Sequence, residues 1–185
     1  KSTVGCIKHI KSDKVILMMK ETPHDFFLTH PDNSYIRKMN RPTIVEFDSG
    51  NEYSGQGVVA NTWPEYTMKR WGSYINCPNV TGYVARTDRY GDTSIVGTAN
   101  EIQLYALKRM TEEQTVSPMQ IYNEFITSRY GEDALLPIRK AFQNAYDIVT
   151  SVFYTLGTNL TDHSSLNYEN NKWGYSRHVS GRWID

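Results

Sequence analysis

The sequence predicts a mixed α/β fold in which a β/α half is followed by an α-helical half. Three short apolar runs lie about 30 to 40 residues apart in the first half, with helical material between the second and third, as in parallel β/α units. From Thr98 onward, apolar residues recur at the spacing of amphipathic helices. We therefore predict two units, residues 1–97 and residues 98–185.

The three apolar runs are the predicted strands. Residues 15–19 are continuously apolar, which is typical of a strand buried on both faces. Residues 43–47 and 81–85 are the second and third strands, each followed by polar, turn-forming residues. Residues 65–74 are predicted to be helical, with Pro64 in the first turn, where its missing N–H costs little.

Three helices are predicted in the second half. Residues 102–110 form the first, and Ser117 begins the second as an N-cap, with Gln120 completing a capping box. Gly131 is predicted to end this helix as a left-handed cap. One long helix is expected over residues 134–156, and the polar, aromatic tail over residues 158–185 is predicted to be loop-like.

Composition excludes several classes of protein. The 185 residues contain 20 Lys+Arg and 20 Asp+Glu, and this neutrality argues against nucleic-acid binding. No apolar run approaches the ~20 residues of a membrane span, and residues 1–13 do not resemble a signal peptide. Two cysteines, Cys6 and Cys77, exclude a disulfide-rich scaffold. The histidines lack metal-ligand spacing, so we predict no metal site.

Polar residues follow each predicted strand, and in parallel β/α folds these positions face the active-site side. Lys20 and Asp25 follow the first strand, and Glu52 lies in the turn-rich segment after the second. An ammonium group and two carboxylates brought together there could hold an acidic substrate and activate a water. The structural alternatives are a solvated lysine, an aspartate that caps a loop amide and a surface glutamate.

The order of these segments resembles the later barrel strands of the α-glucuronidases of glycoside hydrolase family 67. The matching segments are residues 15–20 (VILMMK), 23–26 (PHDF), 44–47 (IVEF) and 51–56 (NEYSGQ). The tail at residues 173–178 (WGYSRH) is similar to a further segment of that family.

This resemblance implies an α/β fold consisting of the last three strands of a (β/α)₈ TIM barrel, followed by an α-helical C-terminal domain. It implies an inverting hydrolase that removes (4-O-methyl)glucuronic acid from xylo-oligosaccharides, and it implies no cofactor, because glycoside hydrolysis by carboxylates needs none. Asp25 and Glu52 would be the catalytic carboxylates that activate water, and Lys20 would bind the uronic carboxylate. Arg177 is a substrate-binding candidate from the matching tail, and Trp63 is one because it lies near Glu52 in sequence and could stack on a sugar.

The family's general acid lies on an earlier strand that this chain does not supply. We therefore expect a partner segment, the N-terminal part of the same protein, and little activity from this chain alone. Two alternatives stay open: a glycosidase for another acidic sugar, and a non-catalytic helical module that forms a homodimer. The predicted partners are thus an acidic oligosaccharide, the missing segment and a second copy, with no nucleic acid and no membrane.

Overall fold

The computed structural model describes residues 3–55, 59–87, 95–154, 158–159 and 180–182. After a short helix α1 (Thr3–Ile7), strands β1 (Leu17–Lys20), β2 (Thr43–Asp48) and β3 (Val80–Arg86) form a parallel sheet in that order. Helix α2 (Pro64–Gly72) joins β2 to β3, whereas the β1–β2 connection contains only a 3₁₀ turn at Ile36–Lys38. The prediction of an α/β fold with parallel strands is confirmed.

The described part of the second half contains four helices where three were expected. They are α3 (Ile102–Glu112), α4 (Pro118–Tyr130), α5 (Leu135–Gln143) and α6 (Ala145–Phe153), with 3₁₀ turns at Ala99–Glu101 and Glu132–Ala134. In the tail, β4 (Thr158–Asn159) pairs antiparallel with β5 (Ser180–Arg182). The prediction of a loop-like tail is wrong at these two strands, because strands of two or three residues carry no periodic signal.

Among the described residues, helices cover one face of the parallel sheet and leave the other uncovered. Val45 of β2 is paired in register with Tyr83 of β3, and this face packs against Trp71 of α2 and Leu107 of α3. On the opposite face the side chain of Met18 is 60% exposed. The prediction that residues 15–19 are buried on both faces is therefore wrong, since β1 lies at an edge of the sheet and α2 and α3 cover one side.

The start of α4 follows the predicted capping box. The backbone N–H of Gln120 donates to the Ser117 hydroxyl at 3.2 Å, and the backbone N–H of Ser117 donates to the Gln120 amide oxygen at 2.8 Å. Gly131 ends the helix with the expected positive φ of 86°, but its ψ of 165° is extended. The chain therefore leaves α4 in an extended direction and not through a left-handed turn.

The single helix predicted over residues 134–156 is two helices in the structure. At the break, the carbonyl of Phe142 accepts a hydrogen bond from the Thr62 hydroxyl at 3.1 Å, and the Asn144 side chain donates to the carbonyl of Lys140 at 2.9 Å. These bonds satisfy carbonyl groups that a continuous helix would pair with backbone N–H groups. The side chain of Ile148, expected on the apolar face, is 57% exposed.

Apolar contacts join residues on both sides of the predicted boundary at residue 98. Met68 of α2 packs into a core formed with Ile102 of α3, Tyr122 and Phe125 of α4, and Phe142 of α5. A helix of the first half is thus held directly by the helical half. No helix among the described residues is long and apolar enough to cross a membrane.

Candidate active site

Charged side chains gather where the parallel strands end. Lys20, the last residue of β1, is paired in register with Glu46 of β2, and Asp48 is paired with Arg86 at the ends of β2 and β3. Residues in register, and residues two apart on a strand, point to the same face. All four therefore lie on the face of the sheet that α2 and α3 leave uncovered.

Lys20 and Asp25 form a direct ion pair on this edge. The Lys20 ammonium group donates to Oδ1 of Asp25, and both side chains are about one-third exposed, at 37% and 31%. Burial opposes ionisation of Asp25, but hydrogen bonds from Lys20 and Tyr53 outweigh that effect and hold the pKa of Asp25 below its usual value. Asp25 is thus an ionised carboxylate at neutral pH.

Glu52 lies in a second group of charges centred on Arg86. The Arg86 guanidinium is 3.3 Å from Oε2 of Glu52 and 3.8 Å from Oε1 of Glu46. The backbone N–H of Glu52 donates to the Asp48 carboxylate at 2.6 Å, which fixes the turn that carries Glu52. The Glu52 side chain is only 13% exposed.

The ring of Phe26 lies between the two charged groups. The Lys20 ammonium nitrogen is 4.9 Å from the centre of this ring, and the Arg86 guanidinium carbon is 5.8 Å from it. Asp25 and Glu52, paired with these two cations, are therefore brought to one place on the molecule. Tyr53 strengthens the connection, because it follows Glu52 in sequence and its side chain hydrogen-bonds to Asp25.

Helix α3 supports the loop that carries Glu52. Asn51 has a φ of 61°, a left-handed conformation that asparagine tolerates better than most residues. The Gln103 amide donates to Oδ1 of Asn51 at 3.0 Å and to the backbone carbonyl of Asn61 at 2.7 Å. Asn100 also accepts a hydrogen bond from the backbone N–H of Asn61 at 2.7 Å. The helical half thus fixes both ends of the loop.

A buried ionic group lies next to Lys20 in sequence. Arg70 of α2 is 3.4 Å from the Glu21 carboxylate and 3.0 Å from that of Asp32. Burial raises the pKa of Glu21 from 4.5 to about 7, and the charge of Arg70 only partly offsets this. Glu21 and Asn51 also line a cavity of about 20 Å³, which has room for a water. The ion pair with Arg70 ties α2 to the segment after β1.

The two remaining substrate-binding candidates are not part of this group. Trp63 is 3% exposed and packs against Leu28 and Val149, so little of its ring is open to solvent at the strand ends. Arg177 lies outside the described residues. Of the predicted site residues, the structure therefore brings Lys20, Asp25 and Glu52 together at the strand ends.

Sequence reasoning did not single out Arg86, Glu46 or Tyr53 as site residues. The sequence carried a signal for two of them. Glu46 lies beside Lys20 when the ends of the two parallel strands are aligned, and Arg86 directly follows the third apolar run. Tyr53 carried no separate signal beyond its position next to Glu52. Gln103 was hidden in a helical apolar pattern, where a buried polar side chain is not expected.

No protein-family model matches the chain, and no curated protein matches it. Within the described residues, no group of three or more histidine, cysteine, aspartate or glutamate side chains is arranged to hold a metal ion.

Proposed function

We propose that this chain carries the water-activating half of an inverting glycoside hydrolase that removes (4-O-methyl)glucuronic acid from xylo-oligosaccharides. The observation that carries the proposal is the arrangement around Phe26, where the Lys20–Asp25 pair and the Arg86–Glu52 pair adjoin one ring at the carboxyl edge of a parallel sheet. A lysine and two carboxylates at one strand edge are the groups that the family resemblance requires.

Asp25 and Glu52 would act together on the attacking water. An inverting mechanism needs an ionised carboxylate that takes a proton from water as the water attacks the anomeric carbon. Asp25 meets this condition, because Lys20 and Tyr53 keep its pKa low. Glu52, held by Arg86 and by the fixed turn after β2, would orient the same water.

Lys20 would select an acidic sugar. An ammonium group has three N–H donors, so Lys20 can keep its bond to Asp25 while it binds the carboxylate of the sugar. A neutral sugar would leave these donors without that partner and bind less well. The same reasoning fits another uronide, and comparison of glucuronide with galacturonide substrates separates the two.

The charge balance indicates that further groups are needed. The strand ends and the turn bring two cations, Lys20 and Arg86, together with four carboxylates, a net charge of −2. A negative site stabilises the oxocarbenium-like transition state but repels a uronic acid. We therefore place a second cation for the substrate carboxylate, and the general acid, on barrel strands contributed by a segment outside this chain.

The test measures hydrolysis of aldouronic oligosaccharides by the intact protein. Asp25→Asn and Glu52→Gln are each expected to lower kcat at least ~100-fold, the usual cost of losing a catalytic base, with unchanged circular dichroism. Glu132→Gln, an exposed carboxylate far along the chain, is the matched control and should leave kcat unchanged. Retention of wild-type turnover by both site variants would refute the proposal. Turnover by the 185-residue chain alone would refute the expectation that the general acid lies on a segment outside this chain.

A second candidate function is self-association through the helical half. Leu136 of α5 and Ile148 of α6 are 67% and 57% exposed, which is unusual for large apolar side chains. We propose that they contribute to a homodimer. Sedimentation of wild-type protein and of Leu136→Glu should give a dimer and a monomer, respectively, and equal masses would eliminate this candidate.

A further inference from the structure

A cleft of about 380 Å³ lies between α2 and α6, and it shares Trp63 and Tyr66 with the small cavity beside Glu21. Its volume falls in the range of ~300–1,000 Å³ that is typical of ligand sites. Three aromatic side chains form its inner wall. Trp63 and Tyr146 meet edge to face at 5.6 Å, and Tyr66 and Tyr146 lie 5.7 Å apart with their planes inclined by 30°.

The outer rim of the cleft is polar and exposed. Glu65 and Lys69 come from α2, Gln143 ends α5, and Asp147 lies in the first turn of α6. Among the residues that the structure describes, the side chains of Lys69, Gln143 and Asp147 form no ion pair or hydrogen bond with one another or with other side chains. These groups are therefore available to a ligand.

The chemistry of the rim favours a hydroxyl-rich, uncharged ligand. Glu65 and Asp147 would repel an anion, and Lys69 offsets part of their attraction for a cation. Hydroxyl groups can donate to carboxylates and accept from an ammonium group or an amide, so they suit a rim of mixed charge. The aromatic wall offers apolar surface to the C–H groups of a sugar ring.

We propose that this cleft binds neutral sugar residues of an oligosaccharide. The choice of a xylo-oligosaccharide as the ligand rests on the proposed function, whereas the inference that the cleft binds a neutral sugar rests on the residues that line it. Trp63 is shared by the cleft and by the inner cavity, whose lining also includes Phe26 and Asp48. The cleft and the inner cavity, which Asp48 at the end of β2 also lines, therefore adjoin through this side chain.

The test is calorimetric titration of the intact protein with xylohexaose, which carries no uronic acid. Wild-type protein should bind it, and a Gln143→Ala/Asp147→Ala double variant should bind about tenfold or more weakly, because a lost hydrogen bond to a charged group has about this effect. The matched control, Gln114→Ala/Asp133→Ala, changes the same residue types at exposed positions away from the cleft and should bind as wild type.

Equal affinity of the double variant and wild type would overturn the inference, and so would no binding of xylohexaose by wild type at millimolar concentration. Binding of tetramethylammonium or glucuronate to the cleft in place of xylohexaose would also overturn it. Asp25→Asn should leave xylohexaose affinity unchanged. A protein that binds xylohexaose through Gln143 and Asp147 but hydrolyses no uronide would retain this inference and lose the proposed function.

Discussion

Gln103 is the buried side chain through which α3 holds the loop before Glu52, and its removal tests that connection. The side chain is 4% exposed, and its amide nitrogen donates to Asn51 at 3.0 Å and to the carbonyl of Asn61 at 2.7 Å. Gln103→Leu keeps most of the volume but removes both bonds. Each of the two buried acceptors left unpaired costs about 1–3 kcal/mol, so we expect the free energy of unfolding to fall by about 2–6 kcal/mol.

Urea unfolding followed by circular dichroism measures this loss. Gln143→Leu, a change of the same residue type at an exposed position, is the control and should stay within about 0.5 kcal/mol of wild type. If the intact protein has the proposed hydrolase activity, Gln103→Leu should lower kcat more than it changes KM, because the loop positions a carboxylate and not the sugar. If the free energy of unfolding of Gln103→Leu falls by less than about 1 kcal/mol, an effect close to that of the control, Gln103 does not support the loop.

Three further predictions concern ionisation and capping. Lys20→Met should raise the pKa of Asp25, because burial then acts without the lysine hydrogen bond, and the acid limb of the kcat/KM pH profile should move to higher pH. Folding raises the pKa of Glu21 from 4.5 to about 7, so the free energy of unfolding should fall by about 3 kcal/mol as the pH rises from 4.5 to about 7. Urea unfolding at a series of pH values measures this fall, and Glu21→Gln should abolish it. Ser117→Ala should cost about 1 kcal/mol in the same unfolding assay, because the cap of α4 is lost.

The elements best predicted from sequence are those whose signals are local. The strand at Thr43–Asp48 alternates buried and half-buried side chains, and the capping box at Ser117 depends only on residues three apart. The break at Asn144 could not be predicted, because it depends on a hydrogen bond from Thr62, which is distant in sequence. The exposure of Met18 likewise depends on which face the helices cover, and an apolar run does not reveal that.

The candidate site divides in the same way. Lys20, Asp25 and Glu52 could be selected because polar residues after parallel strands meet at one edge. Their connection through Phe26 and Arg86 could not be predicted, because it depends on side-chain directions that only the folded sheet defines. The burial of Trp63 has the same origin, since α6 covers it from a position more than eighty residues later.

The bare side of the sheet has a practical consequence for handling the protein. Ile16, Met18 and Val84 expose 56%, 60% and 41% of their surface there, although the polypeptide around them is folded. Such an apolar surface should bind the fluorescent dye ANS under native conditions and promote aggregation during purification. The charged side chains of Lys20, Glu46 and Arg86 lie beside this apolar surface and oppose the association of two sheets from different molecules. Salt screens these charges, so a higher salt concentration should increase precipitation.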